Sequence, residues 1–311
     1  MKMHPLPTTI LMLLTVLLGS QSVNAESTNV QRVRQTLSET VAESEGAIAQ
    51  LRAQGATGLT AFLQVYGGEL ATHNPHLLRV LDAICQQRDC EASRLFWYTD
   101  FAQARAAAQA SGKPILSLRL LGQLDADLSC ANSRFFRVAL YPNVQVAQLL
   151  RDRFILHWQS LRPVPKVTID FGDGRKLERT LTGNSIHYIL DSDGNPVDAL
   201  PGLYGPQAFL RHLQRAEQLV QHLQSLSAAD RVTALGQFHQ AQLATIQNQW
   251  ATDLAQLGIP NPPRLVGTPI RQTTPPTAIA AAPIAYAKAR VETPLLSAIT
   301  PSSSPPSNGD R

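Results

Sequence analysis

Apolar residues recur at helical spacing near the start of the chain, with polar residues between them. The recurring positions are Val30, Val33, Leu37, Val41, Ile48 and Leu51. This spacing predicts one amphipathic helix over residues 28–54, ending at Gly55. Shorter helices are predicted around residues 59–65 and 76–84.

The centre of the chain alternates between short apolar runs and amphipathic segments. Short runs typical of strands lie at residues 95–98, 115–121, 154–158, 186–190 and 197–200. Helical segments are predicted at residues 101–110, after Cys130, at 144–153 and from Pro206 onward. Residues 167–171 and 176–181 flank Gly172-Asp173-Gly174-Arg175, which predicts a hairpin. The alternation indicates a layered α/β domain.

A long helix is predicted after this domain. Ser227 and Asp230 form a capping pair, and Gly258 marks the end of the helix. One apolar face, of the kind that usually packs into a core, is made by Val232, Leu235, Phe238, Ile246, Trp250 and Leu257.

The two ends of the chain differ from the rest. Lys2, an apolar run over residues 10–18 and the small residues before position 26 predict a signal peptide, residues 1–25, cleaved after Ala25. The run is too short for a stable membrane span, so the mature protein is expected to be periplasmic or secreted. Residues 259–311 hold eleven of the 21 prolines and predict a disordered tail.

Composition removes several classes of function. The net charge of +4 is spread along 311 residues, without the clustered basic and aromatic residues of a nucleic-acid interface. Three cysteines are too few for a disulfide-stapled miniprotein. No phosphate-binding loop, dinucleotide fingerprint, zinc-protease helix or haem attachment motif is present, so no cofactor is expected.

Four stretches within residues 93–225 resemble the thioredoxin superfamily, in particular its exported members. They are "TDFAQARAAAQASGKPILSLRL", "SCANSRFF", "PNVQVAQLLRDRFILHW" and "GNSIHYILDSDGNPVDALPG". The resemblance implies a thioredoxin-like central mixed sheet flanked by helices. To this domain the chain would add a helical N-terminal region at residues 26–92 and a C-terminal helix at residues 226–258.

The resemblance also implies a site. Cys130 takes the place of the first cysteine of the family's Cys-x-x-Cys motif, and Ser133 replaces the second. Ser185 stands where the family places a cis-proline that faces the reactive sulfur, with Asn184 and His187 beside it in the substrate groove.

A lone thiol at this position suggests a particular chemistry. A helix N-terminus stabilises a thiolate, and the Ser133 hydroxyl could donate a hydrogen bond to it. Without a second cysteine, Cys130 could form a mixed disulfide with an exported client protein or a small thiol, and an external thiol would release it. That is isomerase-like chemistry.

Three alternatives remain open at this point. The protein could be a non-catalytic module that binds partner proteins through the thioredoxin groove. It could be an accessory protein that binds copper through Cys130 and His187. Cys130 could also be a small buried residue at the start of a helix.

Cys85 and Cys90 are separated by four residues. Such a pair can form a local disulfide at the end of a helix, which would leave Cys130 as the free thiol. In the alternative interpretation one of the two resolves a disulfide formed by Cys130.

Overall fold

The computed structural model describes residues 28–258, and the predicted signal peptide and proline-rich tail lie outside these residues. The chain divides into two compact units, Met1–Glu217 and Gln218–Arg311. The described part of the first unit is residues 28–217, and that of the second is residues 218–258.

The first unit begins with short helices. They are α1 (residues 28–35), α2 (Val41–Ala53), α3 (Ala56–Tyr66), α4 (Pro75–Cys85) and α5 (Cys90–Ser93), with a 3₁₀ turn at Leu70–Thr72. The single helix predicted over residues 28–54 is therefore wrong, because residues 36–40 interrupt it. At the break, Thr36 Oγ1 donates to Val33 O, and Thr36 O accepts from Ser44 Oγ. Side-chain hydroxyls here give the backbone partners outside the helix ladder.

These helices enclose an apolar cluster of their own. Its fully buried members include Val33, Leu51, Phe62, Leu81 and Ile84. The cluster is tied to the following segment because the Arg52 guanidinium donates to Ile84 O at 2.6 Å and to Trp97 O at 3.2 Å.

The next part of the first unit is a mixed four-stranded sheet with a separate hairpin. The strands are β1 (Ile115–Leu121), β2 (Ile155–Arg162), β3 (Lys166–Asp170), β4 (Lys176–Thr180), β5 (Ser185–Leu190) and β6 (Pro196–Pro201). The four-stranded sheet has the order β2-β1-β5-β6, and β3 and β4 form a two-stranded sheet. β1 pairs parallel with β2 and antiparallel with β5, and β5 pairs antiparallel with β6. β1 is buried along almost its whole length, as expected for a central strand.

The strand predicted at residues 95–98 is not formed. Tyr98 makes an isolated parallel bridge to His157, and residues 95–97 before it belong to no strand. Trp97 is nevertheless fully buried. The apolar run therefore reflects burial rather than strand pairing, a distinction that a short run cannot make.

Helices flank the sheet in the order expected of an α/β domain. They are α6 (Phe101–Ser111), α7 (Ala131–Phe135) continued by a π-helical turn (Phe136–Leu140), α8 (Val144–Arg153) and α9 (Pro206–Gln224). Asp100 and Asn143 cap α6 and α8: Asp100 accepts hydrogen bonds from two backbone N–H groups of the first turn, and Asn143 accepts one. The mixed α/β class with added helices is confirmed.

The hairpin of β3 and β4 is formed as predicted. We call residues 166–180 the arm. Its turn contains Gly172 and Gly174, both at positive φ, where a side chain would be strained. All five residues of β3 are exposed.

The second unit contains the predicted long helix, α10 (Ala228–Gln256), capped by Ser227, which accepts from Asp230 N–H. The expectation that its apolar face is core is wrong for several positions. Leu254 is buried, but Val232 is 74% exposed and Ile246 is 51% exposed. Helical spacing shows which side chains share a face, but not whether anything covers that face.

Candidate functional site

Cys130 lies just before α7 and caps that helix. Its backbone is extended, and its Sγ accepts the Ser133 N–H at 3.4 Å. The loop between β1 and α7 thus places the sulfur at the first turn of a short helix, as the resemblance implied. The Ser133 hydroxyl does not fill the expected role, because Ser133 Oγ is buried without a hydrogen-bond partner among the described residues.

The sulfur of Cys130 is covered. Cys130 is 0% exposed and packs with Leu121 and Val164. The irregular segment that leaves the arm lies against this sulfur, and we call residues 180–184 the cover segment. Cys130 Sγ lies 3.8 Å from Asn184 O and donates to it.

The cover segment is held to the Cys130 loop on both sides of the cysteine. Thr180 Oγ1 donates to Ser129 O at 3.0 Å, and Ala131 N–H donates to Thr182 O at 3.3 Å. Each bond joins residues about fifty positions apart in the chain, so both need the complete fold. A thiol under this cover does not meet a solvent-borne partner unless the segment moves.

Asn132 connects the same loop to the start of β5. Its Nδ2 donates to Ser185 Oγ at 2.9 Å, and both residues are buried. Gly183 lies so close to the Asn132 side chain that a Cβ at that position would overlap it. The place expected for a substrate groove at Ser185 is therefore filled by the chain itself. Sequence reasoning missed Asn132, for which no recognised motif offered a signal.

His187 is a core residue rather than a partner of Cys130. It is fully buried, its Nε2 is 2.8 Å from the Tyr141 hydroxyl, and its ring packs against Phe136 and Phe209. Burial lowers the pKa of His187 to about 3, so the ring is neutral at physiological pH.

This arrangement of His187 does not support the copper-binding alternative. His187 contacts aromatic rings and a hydroxyl, with no thiolate beside it in the described contacts. Within residues 28–258 no three His, Cys, Asp or Glu side chains cluster in a way that could hold a metal ion.

Cys85 and Cys90 are joined by a disulfide, with a Cα–Cα distance of 6.4 Å, and Cys130 is the free cysteine. The pairing follows from the end of α4, where Gln86 adopts a left-handed conformation and turns the chain back. With both sulfurs paired, neither is a thiol available to resolve a disulfide of Cys130.

The disulfide loop contacts the loop that carries Cys130. Arg88 N–H donates to Leu124 O at 3.1 Å, and Arg88 forms an ion pair with Asp127 at 2.7 Å. Asp89 pairs with the buried Arg137 at 3.5 Å. Arg137, in the π-helical turn after α7, therefore joins the disulfide loop to the segment that follows Cys130.

A separate cleft of about 510 Å³ lies between α8 and the first turns of α9. Most of its lining side chains are polar, namely Asp152, Arg153, Arg211 and four glutamines, and Leu149 and Leu210 complete the lining. Arg153 is engaged by Glu217 at 2.8 Å. Cys130 and Ser185 are not part of this cleft.

No known family model matches the chain, and no curated protein sequence matches it significantly. Among residues 28–258, no helix is both long and apolar enough to cross a membrane.

Proposed function

We propose that this chain is an exported thioredoxin-like protein that binds other exported proteins without thiol–disulfide turnover. The observation that carries the proposal is the complete burial of Cys130 beneath the cover segment. Thiol–disulfide exchange needs direct attack on an incoming sulfur, and a buried cysteine acts as a small apolar residue. Cys130 and Ser133 would then hold the loop in place.

The order of elements supports the thioredoxin-like part of the proposal. β1, the helices α7 and α8, β2, the β5–β6 pair and α9 follow one another in the order on which the resemblance rests. The arm is an insertion between β2 and β5. Export is proposed from the N-terminal signal pattern alone.

The arm offers the surface for a protein partner. Side chains alternate between the two faces of a strand, so Val167 and Ile169 share one face. Phe171 follows in the same alternation, and the three residues are 36%, 46% and 54% exposed. Exposed apolar side chains grouped on one face are typical of interaction sites.

The proposal is tested with an unfolded exported protein that lacks disulfides, such as carboxymethylated α-lactalbumin, followed by fluorescence anisotropy. We expect Ile169→Ser combined with Phe171→Ser to weaken binding by about tenfold or more, because the apolar contact area is lost. Cys130→Ala is expected to bind like the wild type. Glu178→Gln, on the opposite face of the arm, is the matched control. Equal binding by the double variant and the control would contradict the proposal.

Thiol exchange through Cys130 is the second candidate. The Ser133 N–H directed at the sulfur supports it, because such a donor stabilises a thiolate once the cover segment has moved away. This candidate expects the protein to form a mixed disulfide with a disulfide-containing client, and Cys130→Ala to abolish it. Absence of the mixed disulfide in the wild type would exclude it.

A further inference from the structure

The arm has two outer strand edges, one on β3 and one on β4. β3 and β4 form a sheet of two strands, so the outer edge of β3 is unpaired among the described strands. A two-stranded sheet is marginal alone and is stabilised by further strands. Exposed strand edges pair readily with other strands unless the sequence prevents it.

The hydrogen bonds of the arm show which backbone groups face this edge. Phe171 N–H donates to Arg175 O and Leu181 N–H donates to Pro165 O, so odd-numbered residues of β3 are bonded toward β4. In an antiparallel ladder the alternate residues point their N–H and C=O groups away. Lys166, Thr168 and Asp170 therefore present theirs to the open edge.

The sequence of β3 is complementary to itself when two copies run antiparallel. With Thr168 of one copy opposite Thr168 of the other, Lys166 faces Asp170 and Val167 faces Ile169. Opposite charges and β-branched pairs are the favourable cross-strand combinations. In this register the outward backbone groups of each copy also face those of the other.

The other edge of the arm lacks this property. The alternation that turns the even residues of β3 outward does the same for Lys176, Glu178 and Thr180 of β4. Centring two copies of β4 on the middle residue would place Glu178 opposite Glu178, and like charges directly opposite are destabilising. The charge pattern therefore selects β3.

We propose that two copies of this chain associate through β3, forming a four-stranded antiparallel sheet with a two-fold axis at Thr168. The contact is isologous and closes at two subunits. It places Val167, Ile169 and Phe171 of both copies on one continuous face. The pairing rests on the edge of β3 and does not depend on the proposed function.

One existing interaction of Asp170 is compatible with this arrangement. Asp170 pairs with Lys176 of its own arm at 3.4 Å, and both side chains are more than half exposed. A carboxylate has two oxygens and accepts from more than one cation. Asp170 can thus bind Lys176 and the second copy's Lys166 together.

Sedimentation equilibrium of the purified protein over a concentration series tests the association. We expect a monomer–dimer equilibrium that Thr168→Pro abolishes, because proline removes the outward N–H while leaving the bonds to β4. Glu178→Pro, at the outward position of β4, is the matched control and is expected to dimerise. A monomer at every concentration, an open-ended series of larger species, or a dimer unaffected by Thr168→Pro would overturn the proposal.

A charge swap tests the register. Lys166→Asp faces Asp170 of the second copy and is expected to raise the dimer dissociation constant by about tenfold or more. Adding Asp170→Lys to that variant restores opposite charges across the axis, and we expect it to restore dimerisation. Failure of the double variant to recover, with circular dichroism unchanged, would refute this register.

Cross-linking gives an independent measure of the same register. Opposed residues at the axis have Cα atoms about 5.5 Å apart, within reach of a disulfide. Thr168→Cys is therefore expected to form a disulfide-linked dimer under mild oxidation. Lys166→Cys is not, because the two copies of residue 166 lie about four residues apart along the paired strands. Equal cross-linking of both variants would contradict the two-fold axis at Thr168.

Discussion

The free energy of unfolding is expected to fall between pH 7 and pH 4, and His187 accounts for about 3 kcal/mol of that fall. Replacing His187 by Gln should therefore make the fall smaller by about 3 kcal/mol. In the folded protein burial lowers the pKa of His187 from 6.5 to about 3. The neutral ring is then a source of stability that is fully present above pH 6.5 and is lost as the pH falls toward 3. At pH 4 the unfolded histidine is protonated and the folded one is not. A gap of 2.5 pH units between 6.5 and 4, at about 1.36 kcal/mol per unit, gives the magnitude.

Urea unfolding at pH 7 and at pH 4 measures this loss. Glutamine retains a group that can hydrogen-bond to the Tyr141 hydroxyl, which His187 contacts at 2.8 Å, while removing the titration. His76→Gln, at an exposed position of α4, is the matched control and is expected to lose as much stability as the wild type. His157, whose pKa burial lowers to about 4, is present in all three proteins and cancels from the comparison. A loss in His187→Gln equal to that of the wild type would refute the assignment of His187 as a buried neutral core residue.

Three further predictions concern the disulfide and the contacts of the cover segment, and each is tested by urea unfolding. Replacing both Cys85 and Cys90 by Ser is expected to lower the unfolding free energy by about 2 kcal/mol, the entropic value for so short a loop, and no change would argue against a structural disulfide. Gly183→Ala is expected to destabilise by about 2 kcal/mol because the new Cβ overlaps Asn132, whereas Gly46→Ala, in open space on a helix, is expected to stabilise by up to about 1 kcal/mol. The opposite ranking of these two would contradict the contact with the cover segment. Asn132→Ala is expected to cost about 1–3 kcal/mol, since it leaves Ser185 Oγ buried without its donor, and full stability would show that the bond is dispensable.

Local patterns of residues in the sequence were sufficient to predict most of the helices and strands. The strand predicted at residues 115–121 matches β1, and the glycines of the hairpin turn between β3 and β4 were visible in the sequence. The capping residue Ser227 marked the start of α10. These features depend on residues close together in the chain, which is why spacing reveals them.

The features that the sequence did not predict depend on contacts that no spacing pattern reveals, most of them between residues far apart in the chain. The break at residues 36–40 involves hydroxyl bonds from Thr36 and Ser44 that compete with the helix. The burial of Cys130 requires the cover segment, which follows the cysteine by about fifty residues and contains no apolar pattern pointing to it. The alternation of side chains along β5 places His187 on the same face as Ser185, which the sequence can predict. The rings that pack against His187, those of Phe136 and Phe209, come from other elements and could not be predicted in this way.

Alkylation of the cysteines of the folded protein, followed by mass spectrometry, tests the structural role of Cys130. With Cys85 and Cys90 paired, Cys130 is the thiol available for modification. We expect Cys130 to remain unmodified in the folded protein and to react fully once the protein is unfolded in urea. Ready alkylation of Cys130 in the folded protein, with a rate that rises around a pH well below the free-thiol pKa of about 8.5, would contradict the structural role. It would identify Cys130 as an activated nucleophile.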